Sequence, residues 1–203
     1  ERYRASLSDL AHALKTPLAI LKSSPMADDN DAQEQLDRIN SMIEHQLKRA
    51  ATGGTDTWKK TTSVAPVLES ILNAMKKVYH DKAIDFESDC GPDINFLGDK
   101  TDLMEILGNL IDNACKACRS LVHVNVSYHK NTLNIEISDD GPGIEPSARK
   151  ELLRRGTRLD TYESGHGVGL AIVADLVNDY QGIIKIDSAP IGGAQFNIEF
   201  RYE

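Results

Sequence analysis

The stretch Asp139-Asp140-Gly141-Pro142-Gly143 directly follows a run in which Leu133, Ile135 and Ile137 alternate with polar residues, as in a half-buried strand. Its two glycines allow the backbone to turn sharply and to approach a flat ligand closely. Asp139 offers a carboxylate that can accept a hydrogen bond from the exocyclic amine of adenine. The motif alone is weak, because Asp-Gly-Pro-Gly is also common turn chemistry, so a plain loop remains open.

A second glycine-rich stretch, Gly165-His166-Gly167-Val168-Gly169-Leu170, opens a helix that is predicted to begin near Gly167. The free N–H groups and the dipole at the start of a helix form a site for phosphate. The stretch is not a Walker A loop, because no Gly-Lys-Ser/Thr follows it. The dinucleotide-binding fingerprint also fails, since no parallel βαβ unit surrounds it.

A third feature is a polar stripe along the helix predicted for Thr101–Cys118. Its members recur at steps of three and four residues and are Glu105, Asn109, Asp112, Asn113 and Lys116. An amide oxygen such as that of Asn109 suits a Mg²⁺ ion that also holds phosphate oxygens, and Lys116 can meet phosphate as a point charge. A solvated helix face is the alternative.

The apolar periodicity predicts the fold around these motifs. The predicted elements are helices near Pro66–Tyr79, Thr101–Cys118 and from Gly167 onward, and strands near Ile84–Ser88, Asn95–Leu97, Val122–Tyr128, Leu133–Ile137, Ile184–Ile186 and Phe196–Tyr202. Several strands follow one another without an intervening helix. We therefore expect an α+β two-layer sandwich with a mixed sheet, and not a doubly wound fold.

Residues 1–52 carry apolar side chains every three or four positions, which predicts two amphipathic helices. Residues 23–31 between them are rich in breakers and cap residues, so the helices should form an antiparallel hairpin. Two helices alone cannot cover their apolar stripes, which favours a homodimeric four-helix bundle. The alternative is a hairpin that packs on the following domain. Residues 53–63 are predicted to be a linker, and residues 64–203 a separate domain.

The order of polar helix, D-x-G-x-G and G-x-G-x-G resembles the GHKL (Bergerat) ATPases. This resemblance implies ATP and Mg²⁺ as cofactors, with Asn109 and His166 near the metal. The basic residues Arg149, Lys150, Arg154, Arg155 and Arg158 look like the mobile lid of that family. The implied nucleotide-binding residues are Asn109, Asn113, Lys116, Asp139, Gly141, Gly143, Ile144, Arg155, Arg158, Gly165, His166, Gly167, Val168, Gly169 and Leu170.

GHKL proteins include chaperones and topoisomerases, so the nucleotide-binding motifs alone do not identify the reaction. The first hairpin provides the further information. The run Asp9–Leu18, which contains His12 and Pro17, looks like the H-box of the dimerisation and phosphotransfer domains of sensor histidine kinases. That resemblance implies autophosphorylation of His12, transfer to an aspartate on a response regulator receiver domain, and a phosphatase reaction in which Thr16 positions water. Ala13 departs from the acidic residue that many members carry after the histidine. A GHKL ATPase and an ATP-sensing dimeric scaffold are the competing hypotheses.

Composition restricts the partners. A formal net charge of -8 disfavours direct binding to nucleic acid. No run of about 18 apolar residues is present to cross a bilayer, so a membrane would be reached only through upstream segments. The chain opens at Glu1 inside a helical pattern, and we expect it to be the cytoplasmic fragment of a bacterial inner-membrane receptor. Cys115 and Cys118 form a C-x-x-C. We interpret them as two small residues of a helix, and redox or metal chemistry is the less favoured alternative.

Overall fold

The computed structural model describes residues 60–156 and 168–202 of the 203-residue chain. The predicted hairpin of residues 1–52 lies outside the described residues, together with residues 53–59 of the predicted linker. The dimeric bundle, His12 and Thr16 therefore stay predictions. The described residues form the predicted nucleotide-binding domain.

A five-stranded mixed sheet forms one layer of this domain. In chain order the described strands are β1 (Thr62–Ser63), β2 (Asp85–Cys90), β3 (Asn95–Phe96), β4 (Leu121–His129), β5 (Thr132–Asp139), β6 (Ile183–Ser188) and β7 (Ala194–Arg201). The large sheet has the order β2-β4-β5-β7-β6, in which β2 and β4 are parallel and all other neighbours are antiparallel. Strands β1 and β3 form a separate antiparallel pair. The expected mixed sheet is confirmed.

Helices form the second layer. They are α1 (Val64–Val78), α2 (Lys100–Ala117), α3 (Pro146–Gly156) and α4 (Val168–Asp179), and a short 3-10 turn spans His80–Lys82. Helix α2 packs against α1, α4 and β5, which places it at the centre of the layer. Among the described residues, no helix has the length and hydropathy of a membrane span.

The core lies between the two layers. Val122, Val124 and Val126 on β4 alternate with polar residues and are fully buried, as the period of two in a strand requires. The buried face of α2 contributes apolar residues at steps of three and four, including Leu103, Ile106, Leu107, Leu110, Ile111 and Ala114. The α+β two-layer sandwich expected from the sequence is therefore confirmed.

The described end of the predicted linker contacts the domain. Lys60 Nζ lies 2.7 Å from Asp99 Oδ2, and Thr62 Oγ1 donates a hydrogen bond of 2.8 Å to the carbonyl of Gly98. Asp99 is the N-cap of α2 and accepts from the Thr101 N–H at 2.8 Å. The bond to Lys60 and the Thr101 N–H lower the pKa of Asp99 to about 2. The start of α2 is thus fixed by local capping and by the entering chain.

Candidate nucleotide-binding site

Asp139 is the last residue of β5, and its side chain is only 2% exposed. Its Oδ1 accepts hydrogen bonds from the Gly141 N–H at 2.8 Å and from the Ala194 N–H at 3.3 Å. Burial raises the pKa of Asp139, and these two bonds offset only part of that rise. Both bonds supplied by the described residues go to Oδ1, which leaves Oδ2 to accept from a ligand. This geometry fits the role predicted for Asp139 as a reader of the adenine amine.

The glycines around Asp139 permit a close approach of three backbone segments. A Cβ on Gly141 would lie 2.8 Å from Asp139 Oδ1 and closer still to the carbonyl oxygen of Ala117 at the end of α2. Gly143 has a φ of +77°, a conformation that L side chains rarely adopt. The two predicted glycines are therefore required by the backbone geometry of this turn.

Gly193 belongs to the same site, although the sequence reasoning missed it. Its N–H donates to the carbonyl of Asp139 at 3.0 Å, and a Cβ at this position would lie 2.6 Å from the Gly141 nitrogen. Gly143 lies beside it, since a Cβ there would meet the Gly193 carbonyl oxygen at 3.4 Å. The only signal in the sequence is the pair Gly192-Gly193 before the last strand.

Helix α2 brings Asn109 to the start of α4. Asn109 Nδ2 donates to the carbonyl of Glu105 at 2.8 Å, which orients the amide so that Oδ1 is the remaining acceptor. A Cβ on Gly169 would lie 2.5 Å from Asn109 Oδ1, so the first turn of α4 packs directly on this amide. The polar helix and the second glycine-rich motif, which are 60 residues apart, therefore meet at Asn109.

The other polar residues of α2 have different surroundings. Lys116 Nζ forms an ion pair with Asp112 Oδ2 at 2.7 Å, and the Tyr79 hydroxyl donates to Asp112 Oδ1 at 2.7 Å. Burial and the neighbouring Asp112 raise the pKa of Tyr79 well above its usual range. Asn113 is half-buried. The Lys116 side chain is largely exposed, so a phosphate could draw it away from Asp112, and its role in binding stays a prediction.

The lid region is described only in part. The backbone of Arg155 lies in α3, but its side chain, the side chain of Val168 and the whole of Arg158 lie outside the described residues. Gly165, His166 and Gly167 also lie outside them. Leu170 packs in the hydrophobic core and is 6% exposed. Its side chain therefore packs the start of α4 against the core.

Arg149 connects the start of α3 to the glycine turn. Its Nε donates to the carbonyl of Ile144 at 2.9 Å, and Nη2 donates to Ser188 Oγ at 2.7 Å. Ile144 itself is partly buried against the core. We expected Arg149 to supply charge to phosphate as part of the lid. In the structure its guanidinium instead ties the turn after β5 to the end of β6.

The site favours a magnesium ion bound through the amide oxygen of Asn109 over one enclosed by several protein ligands. The described residues contain no cluster of three or more histidine, cysteine, aspartate or glutamate side chains that could hold a metal. Mg²⁺ commonly keeps few protein ligands and completes its octahedron with phosphate oxygens and water. Asn109 is half-buried, and its Oδ1 acceptor at the start of α4 is compatible with that mode of binding.

The C-x-x-C at the C-terminal end of α2 serves packing. Cys115 is fully buried and Cys118 is 3% exposed, and both are free thiols. Burial, followed by the neighbouring Cys118, raises the pKa of Cys115 to about 12, and burial also raises that of Cys118. The thiolate is the reactive and metal-binding form of cysteine. The raised pKa values therefore favour the interpretation of Cys115 and Cys118 as small packing residues over redox or metal chemistry.

Comparison with known proteins identifies the family. Residues 98–203 match the family described as histidine kinase-, DNA gyrase B- and HSP90-like ATPases. The chain therefore belongs to this family, and the resemblance inferred from the three motifs is confirmed.

More particular relatives are the PhoQ sensor proteins. The chain is 38% identical to the sensor protein PhoQ of Escherichia coli (strain K12) over 98% of its own length and 43% of that protein. It is 36% identical, with the same coverage, to the virulence sensor histidine kinase PhoQ of Salmonella typhimurium (strain LT2). The chain thus spans less than half the length of these relatives, and it is similar to PhoQ-like sensor kinases.

Solved structures agree with this placement. The mycobacterial sensor histidine kinase MprB aligns with a TM-score of 0.61 and 27% identity, over 70% of this chain and 97% of that one. The Acinetobacter baumannii histidine kinase AdeS aligns with a TM-score of 0.60 over 98% of this chain and 96% of that one. At 17% identity the second comparison supports the fold alone.

Proposed function

We propose that the chain is the cytoplasmic kinase core of a two-component sensor histidine kinase that uses MgATP to phosphorylate His12. The observation that supports this most strongly is that α2 contacts both glycine-rich motifs, the start of α4 at Asn109 and the Asp139 turn at Ala117. The similarity to PhoQ sensor proteins also extends over 98% of the chain, and so includes the predicted phosphoacceptor hairpin.

Each part of the site then has a role in binding ATP. Asp139 accepts the adenine amine through Oδ2, and Gly141 and Gly143 let the backbone approach the base. Lys116, Arg155 and Arg158 form a positively charged clamp on the anionic phosphate groups. The stretch Gly165–Leu170 binds phosphate at the start of α4. Asn109, with His166 as a neighbour, would hold Mg²⁺, which offsets charge on the phosphate oxygens when it is bound.

The proposed reaction is an in-line phosphoryl transfer. A ring nitrogen of neutral His12 attacks the γ-phosphorus of ATP, and the bond from that phosphorus to the bridging oxygen breaks as ADP leaves. The ring loses its proton to solvent or to Asp9, because Ala13 supplies no acidic group at the position after the histidine. The protein contributes mainly by positioning the two reactants.

Three further proposals concern partners. The hairpin dimerises, which would cover the apolar stripes of residues 1–52. The phosphoryl group passes to an aspartate of a response regulator receiver domain, of the PhoP type given the similarity to PhoQ. Thr16, one helical turn after His12, holds the water that removes the phosphoryl group from that regulator.

An ATPase without phosphohistidine chemistry is the second candidate, because the matched family also contains gyrase B-like and HSP90-like ATPases. Incubation with ATP labelled at the γ-phosphate separates the candidates. A histidine kinase acquires protein-bound label that is lost in acid, whereas such an ATPase releases free phosphate and leaves the protein unlabelled. A scaffold that only senses ATP binds the nucleotide and does neither. Unlabelled protein after prolonged incubation would refute the proposed kinase activity.

A further inference from the structure

Asp140, the residue after the proposed adenine reader, has a carboxylate that is fully engaged with another segment. Its Oδ1 accepts from the backbone N–H groups of Arg119 at 2.8 Å, Ser120 at 3.0 Å and Leu121 at 3.1 Å. Its Oδ2 accepts from Ser120 as well, from the N–H at 3.1 Å and from the hydroxyl at 2.9 Å. The Asp140 N–H donates in return to the carbonyl of Leu121 at 3.3 Å.

These bonds join two parts of the nucleotide site. Residues 118–120 connect the end of α2, which carries Asn109, to the start of β4. The turn that begins at Asp139 is the other part. Gly141 packs on the carbonyl of Ala117 next to the same connection, so the two segments touch both at Asp140 and at the residue after it. A shift of one segment along the other would change the distance from Asn109 to Asp139.

The contact is not part of the apolar core. Arg119 and Ser120 are exposed, and Asp140 is only half-buried, whereas Asp139 is almost completely covered. Burial alone would raise the pKa of Asp140, but the combined bonds from Ser120, Leu121 and Arg119 hold it well below its usual range. The carboxylate is therefore ionised at neutral pH, and its charge strengthens each of these hydrogen bonds.

We propose that Asp140 is a positioning residue for adenine recognition, which holds the carboxylate of Asp139 in register with helix α2. Asp140 acts through Asp139 and does not contact the base, because both of its own oxygens are already occupied. This inference rests on the proposed function, in which Asp139 accepts the 6-amino group of adenine. Its distinctive consequence concerns nucleotide selectivity, since a looser Asp139 would lose discrimination between bases.

The test compares ADP with IDP, which carries a carbonyl oxygen in place of the 6-amino group. Neither nucleotide can donate a γ-phosphoryl group, so binding is measured without turnover. Calorimetric titration of the whole chain in Mg²⁺ gives the ratio of the IDP and ADP dissociation constants. A site that hydrogen-bonds the amine should give a ratio of about tenfold or more in the wild type.

Asp140→Ala should lower this ratio by about fivefold or more, mainly through weaker ADP binding, in protein that circular dichroism shows to be folded. Asp140→Asn keeps one acceptor oxygen for the three N–H groups but loses the acceptor for the Ser120 hydroxyl, so an intermediate ratio is expected. Asp89→Ala, an exposed aspartate on β2, is the matched control and should keep the wild-type ratio.

A purely structural role would weaken both nucleotides equally or affect neither. Both results leave the ratio of the IDP and ADP dissociation constants unchanged in Asp140→Ala. Either one overturns the inference while leaving the proposed function intact. Should Asp140→Ala fail to fold, an unchanged ratio in Asp140→Asn has the same force. A wild-type chain that binds IDP as tightly as ADP would instead refute the adenine-reading role of Asp139 itself, and with it the inference.

Discussion

Substitution of Gly193 by alanine perturbs the contact between the β6–β7 connection and the turn after β5. The added Cβ would lie 2.6 Å from the Gly141 nitrogen, and closer still to the carbonyl and carboxylate oxygens of Asp139. Two of these three neighbours are backbone atoms, which cannot rotate away. Overpacking of this kind costs about 1 to 3 kcal/mol. The two hydrogen bonds that reach Asp139 from Gly193 and Ala194 are worth about 1 kcal/mol each if they break.

We therefore expect Gly193→Ala to lower the free energy of unfolding by about 3 to 5 kcal/mol. ADP affinity should fall by more than about tenfold, since Asp139 must move. Gly108→Ala is the matched control, because a Cβ at this helical position has no neighbour within 4 Å. It should gain about 0.5 to 1 kcal/mol from lower backbone entropy in the unfolded chain. Urea unfolding followed by circular dichroism measures both variants. A loss below about 0.5 kcal/mol for Gly193→Ala, with normal ADP binding, would refute the packing described here.

Three other predictions test separate parts of the account. Asn109→Ala should weaken Mg²⁺-dependent catalysis more than binding of metal-free nucleotide, and an equal loss in EDTA would argue against a ligand role. Thr16→Ala should leave autophosphorylation substantial while dephosphorylation of the regulator falls sharply, whereas a parallel loss of both rates would exclude the phosphatase role. Iodoacetamide at pH 8 should modify Cys90, which is half-buried, well before Cys115 and Cys118. Because the pKa of Cys115 is about 12, its thiolate is scarce until the pH rises toward that value. Peptide mass spectrometry gives the order, and early labelling of Cys115 would contradict it.

The elements of the domain were predictable where one face of each is buried. The alternation at Val122, Val124 and Val126 predicted β4 to within a residue at each end, and the stripe of apolar residues on α2 predicted Thr101–Cys118 against an observed Lys100–Ala117. Helix α3 was not predicted as a helix, because its sequence is dominated by basic and small residues with little apolar periodicity. Strand β3 was predicted near Asn95–Leu97, but its partner β1 was missed because it has only two residues and lies in the predicted linker.

The residues of the site were predictable only where they belong to a local sequence motif. Asp139 and Asn109 stood out from their neighbours in the sequence. In the structure Asn109 lies against the first turn of α4, and the turn that begins at Asp139 packs on the end of α2. Gly193 did not stand out, because its importance depends on β7 pairing with β5 so that Ala194 reaches the Asp139 carboxylate. The contacts of Asp140 were likewise hidden, and Arg149 was expected at phosphate and not at Ser188. The partners of Asp140 lie 19 to 21 residues away, and Ser188 lies 39 residues from Arg149. Contacts at such separation arise from the topology of the sheet.

Residue-resolved mass spectrometry after incubation with MgATP tests the central proposal most directly. The chain is kept under non-acidic conditions, because phosphohistidine is lost in acid, and His12→Ala is treated in parallel as a control that should still bind ADP normally. The account predicts a single added phosphoryl group on the peptide that contains His12, and none in the variant. A phosphoryl group on another histidine, such as His45 or His80, or one that persists in His12→Ala, would contradict it.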